Sequence, residues 1–319
     1  MAIPLLFGPY GSGELPANAK DYGVNARWFH MFNEAAFEAC MAQQLEPCVE
    51  FKTFRADYQS HPELVPIGVD GQPIRYGRLV QGICLSQKEY LSKIEEELLA
   101  GLKQFKPRGI WLDYLTYAGW FETPEPDLQE SCFCPDCIAD FCESCAIDAA
   151  NPAEILANYA EEWKHYKCRK IADFALRYSR LIKAHLPDCI VGAYMCPWTP
   201  DEFDGALTRI FAQDYRDLAE AIDVYTPLIY CSKSGRGPGW GREWLAQSAG
   251  FVPEGRQVQL ILDAKDFPAS LEDTGRSEIP SLGIQLFAGA PLFHDKDKAI
   301  AFQRSVEAIR NRLPVDRSV

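Results

Sequence analysis

The chain of 319 residues sets 45 acidic against 32 basic side chains, a formal charge of −13, and is 47% hydrophobic and 24% charged. There is enough apolar material for a large core, which excludes a disordered chain, and the negative charge argues against nucleic acid or an anionic membrane as partner, because both attract basic patches. No apolar run reaches the roughly 18 residues of a membrane span, and Met1-Ala2-Ile3-Pro4 lacks the basic and apolar regions of a signal peptide; the expectation is a cytoplasmic protein acting on a neutral or cationic molecule, with assembly into a homo-oligomer left open.

Apolar, strand-like runs alternate with helical patterns from end to end. The first strand is expected at residues 3–7, breaking at Gly8-Pro9-Tyr10-Gly11-Ser12-Gly13, with a helix over 25–43. A second strand follows at 47–51 and a third at 79–84, the latter leading into a helix marked by Ile94, Leu98, Leu99 and Leu102 at helical spacing. The fourth, Gly109-Ile110-Trp111-Leu112-Asp113, ends in a carboxylate. A long amphipathic helix over 152–185, broken once, precedes a fifth strand at 190–195. A helix at 215–222 then leads to the sixth strand at 224–230, with the seventh at 258–263 and the eighth at 283–288. A helix over 295–312 closes the chain.

Eight strands filled with aliphatic and β-branched residues, with helical or loop material between them and no linker, predict one (β/α)8 TIM barrel spanning residues 1–319 as a single domain. A doubly wound open sheet is the competitor. It is disfavoured because no Gly-x-Gly-x-x-Gly follows the first strand and no P-loop is present, so no organic cofactor is expected.

Twelve cysteines lie mostly inside apolar runs (Cys48, Cys84, Cys189, Cys196, Cys231), the usage of buried thiols and metal ligands in a reducing compartment rather than of a disulfide framework. Cys132-Phe133-Cys134-Pro135-Asp136-Cys137 concentrates three in one turn, inside a cysteine-rich loop over about 118–145. Tetrahedral zinc needs a fourth thiolate, for which Cys142, Cys145 and Cys84 are available.

The run Gly82-Ile83-Cys84-Leu85-Ser86-Gln87-Lys88-Glu89-Tyr90, then Gly109 to Tyr114, then the cysteine triplet with Phe141 beyond, resembles glycoside hydrolases of the family 42 β-galactosidase kind. It also resembles the family-10-like glycosidases, which share a fourth-strand segment of the form Asp-Gly-Ile-x-x-Asp-Tyr and whose sixth strand is similar to Asp223-Val224-Tyr225-Thr226-Pro227-Leu228-Ile229-Tyr230. The resemblance implies a glycosidase acting on a carbohydrate, with a structural zinc on Cys84, Cys132, Cys134 and Cys137. One departure is plain: the β-galactosidases carry an Asn-Glu pair on the fourth strand and this chain has Asp113-Tyr114, so neither their substrate nor their catalytic residue type carries over.

Cleavage of a glycosidic bond needs two carboxyl groups, one to protonate the leaving oxygen and one to attack or to activate water. Strand tips supply Glu50, Asp113 and Asp263, with Asp266 just beyond. Asp113 and Asp263, on opposite sides of an eight-stranded ring, are the first choice; Glu50 follows, with an ion pair to Lys52 or Arg55 as its alternative role. Trp120, Trp198, Tyr230, Trp240 and Tyr194 fall at or after strand tips and are the candidate sugar-binding side chains, since sugar faces stack on aromatic rings. Two other functions compete, a carbohydrate-binding barrel without catalysis and a sugar-acid lyase or isomerase using Lys52 or Lys265. No His-x-His or His-Glu-x-x-His spacing is present to suggest a barrel amidohydrolase with a catalytic metal centre, and no Gly-x-Ser-x-Gly to suggest a serine hydrolase.

Overall fold

The computed structural model describes residues 3–74 and 82–312. Its strands are β1 (Leu6–Tyr10), β2 (Ala26–His30), β3 (Glu46–Lys52), β4 (Gly109–Asp113), β5 (Ile190–Met195), β6 (Val224–Ile229), β7 (Gln257–Val258), β8 (Leu260–Asp263) and β9 (Gly283–Phe287). All pair in parallel. β7 and β8 form one stave interrupted at Gln259, and pairing of β5 with β6 joins the two ends of the sheet into a closed barrel of eight staves. The chain is thus a single (β/α)8 barrel.

The helices are α1 (Glu34–Ala42), α2 (Lys88–Gln104), α3 (Pro135–Cys145), α4 (Pro152–Asn158), α5 (Ala160–His185), α6 (Ala206–Arg209), α7 (Trp240–Ser248), α8 (Ala269–Thr274) and α9 (Lys296–Arg310). The expected break in the long helix falls at Tyr159, between α4 and α5. Asp295 caps α9 by accepting from the backbone N–H groups of Asp297 and Lys298.

Four expected elements differ. The first strand does not break at Gly8 but runs on through Pro9 to Tyr10. Residues 25–43 are not one helix, because 26–30 form β2 and only 34–42 coil into α1. Phe29, Phe32, Phe37 and Cys40 recur at nearly helical intervals, yet Ala26 and Trp28 turn into the barrel while Phe29 turns out. The strand expected at 79–84 is absent at 82–84, and residues 79–81 lie outside the described residues. Over 215–222 there is only a 3-10 turn, Asp217–Glu220.

Strand alternation creates two cores. Outward residues such as Val49, Leu112, Val191 and Leu262 pack under the helices. Inward residues, among them Tyr10, Trp28, Trp111, Tyr194 and Ile261, fill the barrel. Trp111 and Trp28 are the largest of these. For Trp111 the fit is specific. Its indole lies edge-on to Trp28 at 5.5 Å and donates to the Thr226 hydroxyl at 2.8 Å. Gly192, across from Trp111 on β5, is the space this ring occupies, since a Cβ there would come within 2.4 Å of the indole nitrogen. Gly192→Ala is therefore expected to destabilise the fold by about 1–3 kcal/mol through overpacking, a loss measurable by chemical denaturation.

Candidate active site

The inward side chains at the C-terminal ends of the strands surround a cavity of about 450 Å³. From β1 and β2 come Tyr10 and His30, from β3 Glu50 and Lys52, and from β4 Asp113; β5, β6 and β9 add Tyr194, Leu228 and Phe287. The wall is completed by Arg55, by Tyr114, Trp120, Phe121 and Glu122 after β4, and by Tyr230 and Lys233 after β6. Tyr194 reaches below this layer to the side-chain amide of Gln285 at 2.7 Å, which contacts that of Gln259 at 2.8 Å. These groups form a polar floor.

The tip of β4 is fixed by its neighbour. The backbone N–H and hydroxyl of Thr53 both donate to the Asp113 carbonyl, at 2.9 and 2.7 Å. Tyr114 then takes a left-handed φ of 55°, turning the chain away from the strand just past the carboxyl. Leu112 packs outward and Trp111 inward, the alternation required for Asp113 to face the mouth.

Glu50 is 1% exposed. Burial alone would raise its pKa, but hydrogen bonds from His30 and Asp113 and the neighbouring His30 and Lys52 charges outweigh this and bring it to about 2. His30 Nδ1 is hydrogen-bonded to Oε2, and Lys52 Nζ lies 3.8 Å from Oε1. Asp113 has the opposite balance: burial, the Glu50 charge and the hydrogen bond between the two carboxyls push its pKa well above the usual range. The two shifts run in opposite directions, so within the pair a proton is favoured on Asp113 and disfavoured on Glu50. A group whose pKa is raised by folding contributes stability below its unfolded pKa and loses it as pH rises through the folded value. The wild-type melting temperature is therefore expected to fall more steeply than that of Asp113→Asn as pH rises above about 4, the unfolded aspartate value, and parallel melting curves would contradict this assignment.

Across the cavity, Lys233 bridges two acids, Glu122 at 3.0 Å and Asp263 at 3.6 Å, with its ammonium 4.1 Å from the Tyr230 ring centroid and 4.3 Å from that of Phe287. Burial raises the Glu122 pKa, and Lys233 opposes that rise. Asp263 is buried and not among the residues lining the cavity; its Oδ1 accepts from the Lys265 N–H and caps a 3-10 turn. Lys52 lines the cavity and Lys265 does not.

Of the aromatic candidates, Trp120, Tyr194 and Tyr230 line the cavity. Trp198 and Trp240 do not. Trp198 is buried against Phe203 and Phe211, and Trp240, also buried, carries the Arg236 guanidinium over its ring. His30, Glu122 and Lys233 are the site residues the sequence reading missed. With 25–43 taken as a helix, His30 could not be placed at a strand tip; Glu122 and Lys233 sit on irregular loops that carry no periodic signal.

Cys84, Cys132, Cys134 and Cys137 form a second cluster, their sulfurs all within 4.8 Å of one another and largely buried. Pro135 at the first turn starts α3, so that Cys134 at its N-cap and Cys137 one turn on lie on one side. Cys84 Sγ is 3.6 Å from Cys134 Sγ and 3.7 Å from Cys137 Sγ, close to the spacing of about 3.8 Å that tetrahedral Zn–S bonds of about 2.3 Å require. The Ile67 N–H points at Cys132 Sγ from 3.3 Å. All four thiols are free, and the donor set fits a thiolate-binding metal ion.

No family model and no curated protein matches the chain. Solved structures do. The PgaB (BpsB) glycoside hydrolase domain from Bordetella bronchiseptica superposes with a TM-score of 0.71 at 13% identity, over 95% of this chain and 99% of that domain. The chain is a (β/α)8 barrel whose structural neighbours are glycoside hydrolases. The cold-adapted β-galactosidase from Rahnella sp. R3 gives a TM-score of 0.69 at 12% identity, and Gan42B, a family 42 β-galactosidase from G. stearothermophilus, 0.65 at 12%. Each covers 98% of this chain, which spans 57% of their length. At such identities the likeness lies in the fold. No described helix is long and apolar enough to cross a membrane.

Proposed function

We propose that the chain is a glycoside hydrolase in which Asp113 protonates the leaving oxygen. The observation that carries this reading is a carboxyl group favoured in its protonated form, at the tip of β4, inside a cavity walled by Trp120, Phe121, Tyr114, Tyr230 and Phe287. Glu50, in hydrogen-bond contact with Asp113, is too near to flank a scissile bond with it, since such carboxyl groups stand about 5–9.5 Å apart. Its role is to hold the Asp113 proton. The second carboxyl is then Glu122, which lines the same cavity, with Lys233 opposing the rise that burial gives its pKa and Asp263 holding Lys233 in place.

Aryl glycosides of several sugars, offered with good and poor leaving groups, test this reading. Hydrolysis of at least one series is expected, and Glu122→Gln should lower kcat by about 10²-fold or more. A carbohydrate that binds with no turnover by the wild type would contradict it and favour a binding protein.

We also propose that the four cysteines hold a structural zinc. Bound there, it would tie the segment after β3, which carries Ile67 and Cys84, to the loop between β4 and α3, which carries Trp120 and Glu122. Support comes from the sulfur spacing and from four free thiols, three of them buried and Cys134 partly so. Metal analysis of protein prepared under reducing conditions is expected to return about one zinc per chain, and none would contradict the site.

A further inference from the structure

In each turnover of the proposed reaction Asp113 loses a proton. A saccharide filling the cavity blocks its return from that side. His30 offers another route, because it is 46% exposed and lines two spaces, the active cavity and a separate groove of about 440 Å³ bordered by Gly11, Ser12, Glu14, Arg27 and Asn33. Its Nδ1 is bonded to Glu50, and Glu50 is bonded in turn to Asp113.

We propose that His30 and Glu50 form a proton relay from water in the groove to Asp113, an inference that rests on the glycosidase reading above. After Asp113 has given its proton to the leaving oxygen, the imidazole takes a proton from groove water at Nε2 and gives the one on Nδ1 to Glu50. Glu50 hands a proton to the Asp113 carboxylate and is an anion again. The ring, neutral with its proton on Nε2, then swings toward the groove, where water takes the Nε2 proton and supplies one at Nδ1, and the first tautomer returns to Glu50. One proton has moved from solvent to Asp113, and no atom has been oxidised or reduced.

The groups facing this chain are few. The Tyr10 hydroxyl lies 3.3 Å from His30 Nδ1, Lys52 lies 3.8 Å from Glu50, and Glu14 and Arg27 border the groove. Only His30 joins both spaces among them. The relay has a stereochemical consequence. In double displacement the incoming water would itself restore the Asp113 proton, whereas in single displacement its proton goes to the other carboxyl group and Asp113 must be recharged from solvent. Inversion at the anomeric carbon is therefore expected.

His30 and Glu50 are positioning residues in this scheme, tested by His30→Ala and Glu50→Gln. Proton NMR of the first-formed sugar should show inversion. His30→Ala should lower kcat about 10-fold or more with KM unchanged, and added imidazole should restore much of the loss. Retention, an unchanged kcat, or a loss that imidazole leaves untouched would overturn the relay. A readout without substrate separates this outcome from failure of the glycosidase reading. In carboxyl-labelled protein followed by carbon-13 NMR, Glu50→Gln should lower the titration of Asp113, and His30→Gln should raise that of Glu50. If each carboxyl ignores the other substitution the relay is wrong, whether or not any glycoside is cleaved.

Discussion

Asp113→Asn is expected to lower kcat on a glycoside with a poor leaving group by about 10³-fold while the protein stays folded. The amide has no acidic proton to give, which removes protonation of the leaving oxygen. It can still donate a hydrogen bond to ionised Glu50, and the Asp113 carbonyl keeps both bonds from Thr53, so the tip of β4 holds its shape. The loss should shrink for a dinitrophenyl leaving group, which departs without a proton, and a uniform loss across leaving groups would point to misplacement of substrate instead. The pH profile has a sign. Activity should fall as pH rises through the elevated Asp113 pKa, while Glu50 stays ionised until pH nears 2.

Cys134→Ser, or removal of metal by a chelator, is expected to cost about 4 kcal/mol or more of stability, the class of effect seen when a structural metal is lost. Melting should drop by on the order of 10 °C. If Cys134 is a zinc ligand as proposed, its replacement releases the loop before α3 through loss of the metal, since at the N-cap position its side chain makes no cap hydrogen bond. That loop carries Trp120, Phe121 and Glu122 into the cavity. Below the melting range KM should therefore rise more than kcat falls. A Cys134→Ser protein that melts like the wild type and carries no zinc would refute a structural metal, whatever its activity.

The barrel was legible where strands are short apolar runs bounded by turn residues, as at β4, β5 and β6. The count of eight was right, although one of its members, 79–84, was not a strand and one strand, 26–30, was missed. Residues 26–30 were hidden because the aromatic spacing continues across the turn into α1, while 79–84 read as a strand on its apolar residues alone. The cysteine quartet could be read because its spacing and the resemblance agreed, and it survives the strand error: Cys84 meets the triplet from the segment between β3 and α2. Asp113 could be placed from the alternation of Trp111 and Leu112. The contact between Glu50 and Asp113 follows from the β3 and β4 register, which sets Glu50 opposite Trp111 and Lys52 opposite Asp113. Local pattern does not encode that register. Trp198 and Trp240 lie outside the cavity because a tryptophan after a strand tip can serve packing as well as ligand, and both are buried.

The most direct test of the account is release of new reducing ends from a panel of unactivated oligosaccharides by wild type and Asp113→Asn at equal concentration. The account predicts release from at least one member by the wild type and loss of that release in the variant. Equal release by the two proteins would contradict it, as would saccharide binding by the wild type without any release.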